Sequence, residues 1–179
     1  MLGPALFAII ISSLKLTYPN CTFIKFADDV TVANYSRRGE IDNLDKEWET
    51  VQKWSQTNDL PINMEKTKII DISTVKNLPI VPLLCCNGTE IKSVKDAVLL
   101  GVIFQANMKW DIHVKILVSR ANKAVFPIVL LKRIGCSDEK LWVLYSAFVR
   151  SILSYGCSAT CNMSQSLLSS LARVEKRFK

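Results

Sequence analysis

Residues 4–15 are apolar on every side, and Pro4 stands where an opening helical turn accepts proline. That pattern predicts a buried helix. Pro19 and Asn20 then mark a turn. The short β-rich runs Cys21 to Phe26 and Val30 to Asn34 flank Ala27-Asp28-Asp29, which predicts a hairpin with two aspartates at its tip. Over residues 40–57, Ile41, Leu44, Trp48, Val51 and Trp54 recur at three- and four-residue steps, the spacing of an amphipathic helix. Asp59 to Asn63, with Pro61, end it. Lys68 to Ile72 reads as a strand, and Val81–Cys86 and Thr89–Lys92 flank the hairpin dipeptide Asn87-Gly88. Val98 to Phe104 reads as one further strand containing Gly101. From about Trp110 the period becomes helical. Helices are predicted at 110–133, 138–154 and 164–178, with Gly135 and Gly156 as stops and Pro127 as a kink or break in the first. Trp48 and Trp54 read as core residues rather than as a platform for stacked bases. The fold class expected is α+β, with a boundary near residue 108 between a mixed part, 1–108, and an all-helical part, 109–179.

Composition narrows the classes. Of 179 residues, 49% are hydrophobic, enough to bury a core and too many for a disordered tail. The net charge of +7 favours polyanionic partners, nucleic acid above all. Six of the cations, Lys109, Lys115, Arg120, Lys123, Lys132 and Arg133, fall between residues 105 and 135 against Asp111 alone. Cys85 and Cys86 are adjacent, which suits no simple disulfide framework, and Cys157 and Cys161 have no second Cys or His pair beside them. His113 is the single histidine, so the cysteines read as free thiols rather than zinc ligands. The run from Leu6 to Leu14 lacks the flanks of a signal peptide and the length of a membrane span. Sequons at Asn20, Asn34, Asn87 and Asn162 would matter only in a secreted chain, and a small secreted glycoprotein is the remote alternative. The expected compartment is nucleus or cytoplasm.

The sharpest chemical signal is Phe26-Ala27-Asp28-Asp29. Two adjacent carboxylates raise one another's pKa, and a divalent cation removes that penalty. Hard oxygen donors suit Mg²⁺. Two such ions about 3.5–4 Å apart can activate a 3′-hydroxyl and stabilise a leaving pyrophosphate. Taken alone, an Asp-Asp pair fits a solvated turn as well.

The neighbours of that pair supply a resemblance. Phe26-Ala27-Asp28-Asp29 resembles the Y/F-x-D-D motif of reverse transcriptases. Upstream, Leu2-Gly3-Pro4-Ala5-Leu6-Phe7 resembles the end of that family's template-contacting segment. Downstream, Trp54, Asn58, Leu60, Asn63, Lys66 and Thr67 resemble the next motif, and Leu99-Leu100-Gly101-Val102 resembles the primer-grip strand. Trp110-Asp111-Ile112-His113 resembles the opening of the thumb. Leu144-Tyr145, Val149-Arg150-Ser151, Leu153 and Tyr155-Gly156 resemble its later signature. The ordered set resembles the reverse transcriptases of non-LTR retrotransposons over nearly the whole chain. Leu99 stands where an aromatic is usual, and no tryptophan follows Tyr155-Gly156.

The resemblance implies a partial polymerase palm over 1–108 and a thumb over 109–179 truncated at its C-terminal end, a piece of a longer polymerase. It implies Asp28 and Asp29 as ligands of Mg²⁺ or Mn²⁺ in an incomplete site, because the family's first catalytic aspartate has no match here. Lys66 would lie by the triphosphate of the incoming dNTP and protonate the leaving pyrophosphate, while Asn63 fixes its loop. Leu100 and Gly101 would press the primer end toward the metals. Lys109, Lys115, Arg120 and Lys123 would hold the duplex of RNA template and DNA primer through phosphates. His113 reads as a packing or capping residue. The function implied is RNA-directed DNA polymerisation, the isolated chain being inactive for want of that aspartate and the fingers. The alternative is a non-catalytic nucleic-acid-binding remnant.

Overall fold

In a computed structural model the chain is α+β, and the structure describes residues 2–35, 42–72, 84–86 and 88–177. The order is α1 (Gly3–Ser12), β1 (Cys21–Phe26), β2 (Asp29–Asn34), α2 (Leu44–Thr57), β3 (Lys68–Ile70), β4 (Cys85–Cys86), β5 (Thr89–Glu90), β6 (Lys92–Val94), β7 (Asp96–Leu99), β8 (Val102–Gln105), α3 (Asp111–Arg133), α4 (Asp138–Leu144), α5 (Ser151–Ser154) and α6 (Gln165–Lys176), with a π-helical turn, Tyr145–Arg150, joining α4 to α5. The strands form two-stranded sheets: β1–β2, β3–β6, β4–β5 and β7–β8. Two compact units result: Met1–Ile69 with Pro79–Ser93, and Ile70–Leu78 with Val94–Lys179. The second unit takes in the β7–β8 hairpin, so it begins upstream of the change in patterning near residue 108.

In the first unit, β1 and β2 pair antiparallel from Cys21↔Asn34 to Phe26↔Asp29. Alternation sets the faces. Cys21, Phe23, Lys25, Val30, Val32 and Asn34 are buried or half-buried, whereas Thr22, Ile24, Phe26 and Asp29 are exposed. Helix α2 buries Glu47, Val51 and Ser55, one residue per turn, flanked by half-buried Trp48 and Trp54. Both indoles are tethered: Trp48 Nε1 donates to the Cys85 carbonyl at 2.9 Å, and Trp54 Nε1 to Ser13 Oγ at 2.8 Å. Helix α1 departs from the expectation of burial. No residue of it is buried, and Leu2, Leu6, Ile9 and Ile10 are exposed. Its apolar character is as read; nothing among the described residues lies over that stripe.

In the second unit, α3 turns His113, Val114, Leu117, Ala121, Val125 and Ile128 inward. Ala121, Val125 and Ile128 meet Leu141, Tyr145 and Val149 of the next helical run and Val174 of α6. The three predicted helical runs are found with every bound within two residues of the expectation. Pro127 lies inside an unbroken α3 on its exposed side. Val98 to Phe104, expected as one strand, is instead a hairpin. Leu100 and Gly101 both take positive φ, +47° and +80°, and reverse the chain between β7 and β8. Gly101 is thus a turn glycine, and the primer-grip resemblance falls on a turn. A second satellite cluster packs Val102, Trp110 and Val114 with Phe104, whose ring meets Trp110 edge-on at 5.4 Å. Gly88 takes φ +78° between β4 and β5, as a hairpin requires; Asn87, Ile41 and 81–83 lie outside the described residues.

Candidate functional site

The turn between β1 and β2 has two residues, Ala27 and Asp28, and Asp29 opens β2 opposite Phe26. Ala27 holds φ +51°, a conformation glycine normally supplies at the first position of a hairpin turn. For a residue with a Cβ it costs about 1–2 kcal/mol. Asp28 and Asp29 are both exposed and neither carboxylate is in an ion pair among the described residues.

Two charged groups that the sequence reading passed over fix this hairpin. Lys25, on its inner face, donates from Nζ to the Ile11 carbonyl at 2.8 Å and to the Leu14 carbonyl, at the C-terminal end of α1. A cation there complements the helix dipole, and burial lowers its pKa. Glu47 is fully buried and its Oε1 accepts the N–H groups of Thr17, at 2.6 Å, and Tyr18, at 2.5 Å, just ahead of β1. Its Oε2 is buried without a partner among the described residues. The available signals were a lysine on the inward alternation of β1 and a glutamate inside the apolar stripe of α2. Asp42 accepts from Asn34 Nδ2 and from the Leu44 N–H. That places it at the end of the hairpin opposite Asp29.

Two adjacent hard oxygen donors suit Mg²⁺ or Mn²⁺. Among the described residues no group of three or more His, Cys, Asp and Glu side chains converges. Asp28 and Asp29 would therefore hold an ion with waters and ligand oxygens completing its shell. The ion would supply charge for phosphoryl chemistry.

Lys66 lies in the same unit, exposed, in a turn built by Asn63. Asn63 Oδ1 accepts the Lys66 N–H at 3.2 Å, and its carbonyl accepts both the N–H and the hydroxyl of Thr67. Asn58 caps the end of α2 through the Trp54 carbonyl. So the polar residues from Asn58 to Thr67 shape the chain that presents Lys66, whose ammonium has no partner among the described residues.

The remaining candidates, Leu100, Gly101, Lys109, Lys115, Arg120 and Lys123, belong to the second unit. Lys109 is exposed in the turn before α3. Lys115 and Lys123 both lie on the exposed side of α3, about 80° apart round the helix. Arg120 lies about 60° round the helix from Lys123, toward a flank.

His113 is buried at the base of α3. Its Nδ1 accepts the Ile103 N–H at 3.4 Å, which puts the proton of the neutral ring on Nε2, and Nε2 is buried without a partner among the described residues. Burial, then the charge of Arg120, lowers its pKa. The unfolded chain takes up this proton near pH 6.5 and the folded chain only below that. Stability from the neutral ring is therefore full above about pH 6.5 and declines as the pH falls toward the depressed value. Thermal melts of the second unit between pH 7.5 and 5 are expected to show this slope, and His113→Gln to flatten it. Equal slopes in the two proteins would remove His113 as the cause.

Residues 1–104, more than half of the chain, match the family model of reverse transcriptase (RNA-dependent DNA polymerase). The chain belongs to the reverse transcriptase family. No curated protein and no solved structure gives a significant match. The matched span includes Asp28, Asp29, Lys66 and the Leu100–Gly101 turn of the reverse transcriptase candidates, and ends before Lys109 and α3. No helix among the described residues is long and apolar enough to cross a membrane.

Proposed function

We propose that this chain is the palm remainder, 1–108, and the thumb, 109–179, of an RNA-directed DNA polymerase from a non-LTR retrotransposon. The observation that carries this reading is Asp28 in a two-residue turn with Asp29 in the first pair of β2, inside the matched span. In that reading Asp28 and Asp29 bind the divalent cation. Lys66 stands by the triphosphate of the incoming dNTP, and the Leu100–Gly101 turn bears on the primer end. Lys115 and Lys123, with Lys109 and Arg120 to either side, bind phosphates of the RNA–DNA duplex.

The two carboxylates are too few for polymerisation by this chain alone. Mg²⁺ keeps its waters unless several ligands converge, and in-line displacement needs its groups held precisely. A chain that binds the duplex without extending it is also what the second reading, a nucleic-acid-binding remnant, describes. We expect no primer extension by the 179-residue chain with Mg²⁺ or Mn²⁺, and binding to an RNA–DNA duplex that weakens steeply between about 50 and 200 mM salt. Lys115→Gln with Lys123→Gln should lower the salt slope by about 2. Extension abolished by Asp28→Ala would show the site to be complete. Salt-independent binding, or none at about 50 mM salt, would end both readings.

A further inference from the structure

The turn at Leu100 and Gly101 has an unusual composition. Two-residue turns with both φ values positive are normally built from Asn-Gly, Asp-Gly or Gly-Gly. Here a leucine takes the first position at φ +47°. Its Cβ makes that conformation unfavourable, and such strain persists only where the surroundings hold it.

What holds it is Tyr155. Its hydroxyl donates to the Leu100 carbonyl at 2.6 Å. Its ring lies so close over Gly101 that a Cβ there would meet Cε1 at 3.2 Å and Oη at 3.4 Å. The next residue, Gly156, sits with its Cα side against Val102, the first residue of β8, where a Cβ would come within 2.7 Å of Val102 Cγ2. Tyr155 itself is 53% exposed, so burial of its ring does not explain its position. The segment after α5 thus grips both the turn and the strand that leaves it. Leu100 and Val98 stay exposed on the same hairpin. They form an apolar tip, suited to the sugar and base of a terminal nucleotide rather than to phosphate.

We propose that Tyr155 is a positioning residue: it holds the strained Leu100–Gly101 turn in the shape that bears on the primer terminus. This rests on reading the turn as the primer-contacting element. The contact is apolar, so it should be separable from the phosphate contacts that set overall affinity.

The test uses the 179-residue chain and an RNA–DNA duplex carrying 2-aminopurine at the primer 3′ end, at about 50 mM salt, where phosphate contacts are strong. Tyr155→Phe keeps the ring and removes the hydroxyl. Its Val102 amide, which closes the turn, should exchange about five- to tenfold faster, the loss of one hydrogen bond. The 2-aminopurine signal should fall while the Kd for the duplex stays within about twofold, because phosphates carry the affinity. Leu100→Ala should lose the signal without faster exchange. Unchanged exchange in Tyr155→Phe would overturn the latch. Faster exchange with an unchanged signal would overturn its role at the primer end. A wild-type chain that binds the duplex but gives no terminal signal would refute the primer-contact reading itself, and the latch would then stand or fall on exchange alone.

Discussion

Gly156→Ala is expected to cost roughly 2–5 kcal/mol, summing about 1–2 for a Cβ at positive φ and about 1–3 for overpacking. The backbone there has φ +71°, and the new Cβ would lie 2.7 Å from Val102 Cγ2 and 3.9 Å from His113 Nε2. Val102 is buried in β8 and belongs to the cluster with Trp110 and Val114, so it has little room to yield. That loss is a large share of the roughly 5–15 kcal/mol that holds a domain together. Thermal unfolding of the second unit should fall by the order of 10 °C or more. Gly135→Ala is the control. It has φ +87° and nothing within 4 Å of the new Cβ, so it carries the conformational cost alone. Equal losses from the two substitutions would mean that Val102 moves aside without penalty.

Glu47→Ala should be the most damaging change in the first unit. It removes the acceptor for the Thr17 and Tyr18 N–H groups. Tyr18 is half-buried and Thr17 exposed, so an unsatisfied Tyr18 N–H costs up to about 1–3 kcal/mol and the Thr17 N–H, which water can reach, less. Glu47→Gln keeps an oxygen in place and surrenders the charge assistance, which makes charged hydrogen bonds about twice as strong as neutral ones. It should therefore fall between wild type and alanine. Amide exchange at Thr17 and Tyr18 reports the effect directly. If the glutamine variant is as damaged as the alanine variant, the acceptor oxygen is not what Glu47 contributes.

The helices of the second unit were legible because one period runs unbroken from Asp111 to Arg133, and Gly135 and Gly156 end helical runs at positive φ. The hairpin at Ala27-Asp28 was legible because β-rich runs flank two carboxylates. The turn at Leu100-Gly101 was not. A leucine ahead of glycine carries none of the usual turn chemistry, and what stabilises it, Tyr155, is 55 residues further on. For the same reason Glu47 escaped notice: its partners are backbone N–H groups, which leave no mark in a sequence. Helical arithmetic puts Lys115 and Lys123 about 80° apart, but only the burial of His113, Val114, Leu117 and Ala121 shows that both lie on the outward side of α3.

Every sheet among the described residues has two strands, so each strand has one edge with no partner strand, although side chains cap single groups there, His113 the Ile103 N–H of β8 and Trp48 the Cys85 carbonyl of β4. Open edges of this kind recruit strands from other chains, and a lone two-stranded hairpin is only marginally stable in water. The β1–β2 hairpin adds Ile24 and Phe26 on its outer face, 49% and 62% exposed. At high protein concentration copies of the chain are expected to associate edge to edge, and the net charge of +7 opposes that. Raising the salt to screen that charge removes the opposition, so the purified chain is expected to keep best at low ionic strength and high dilution.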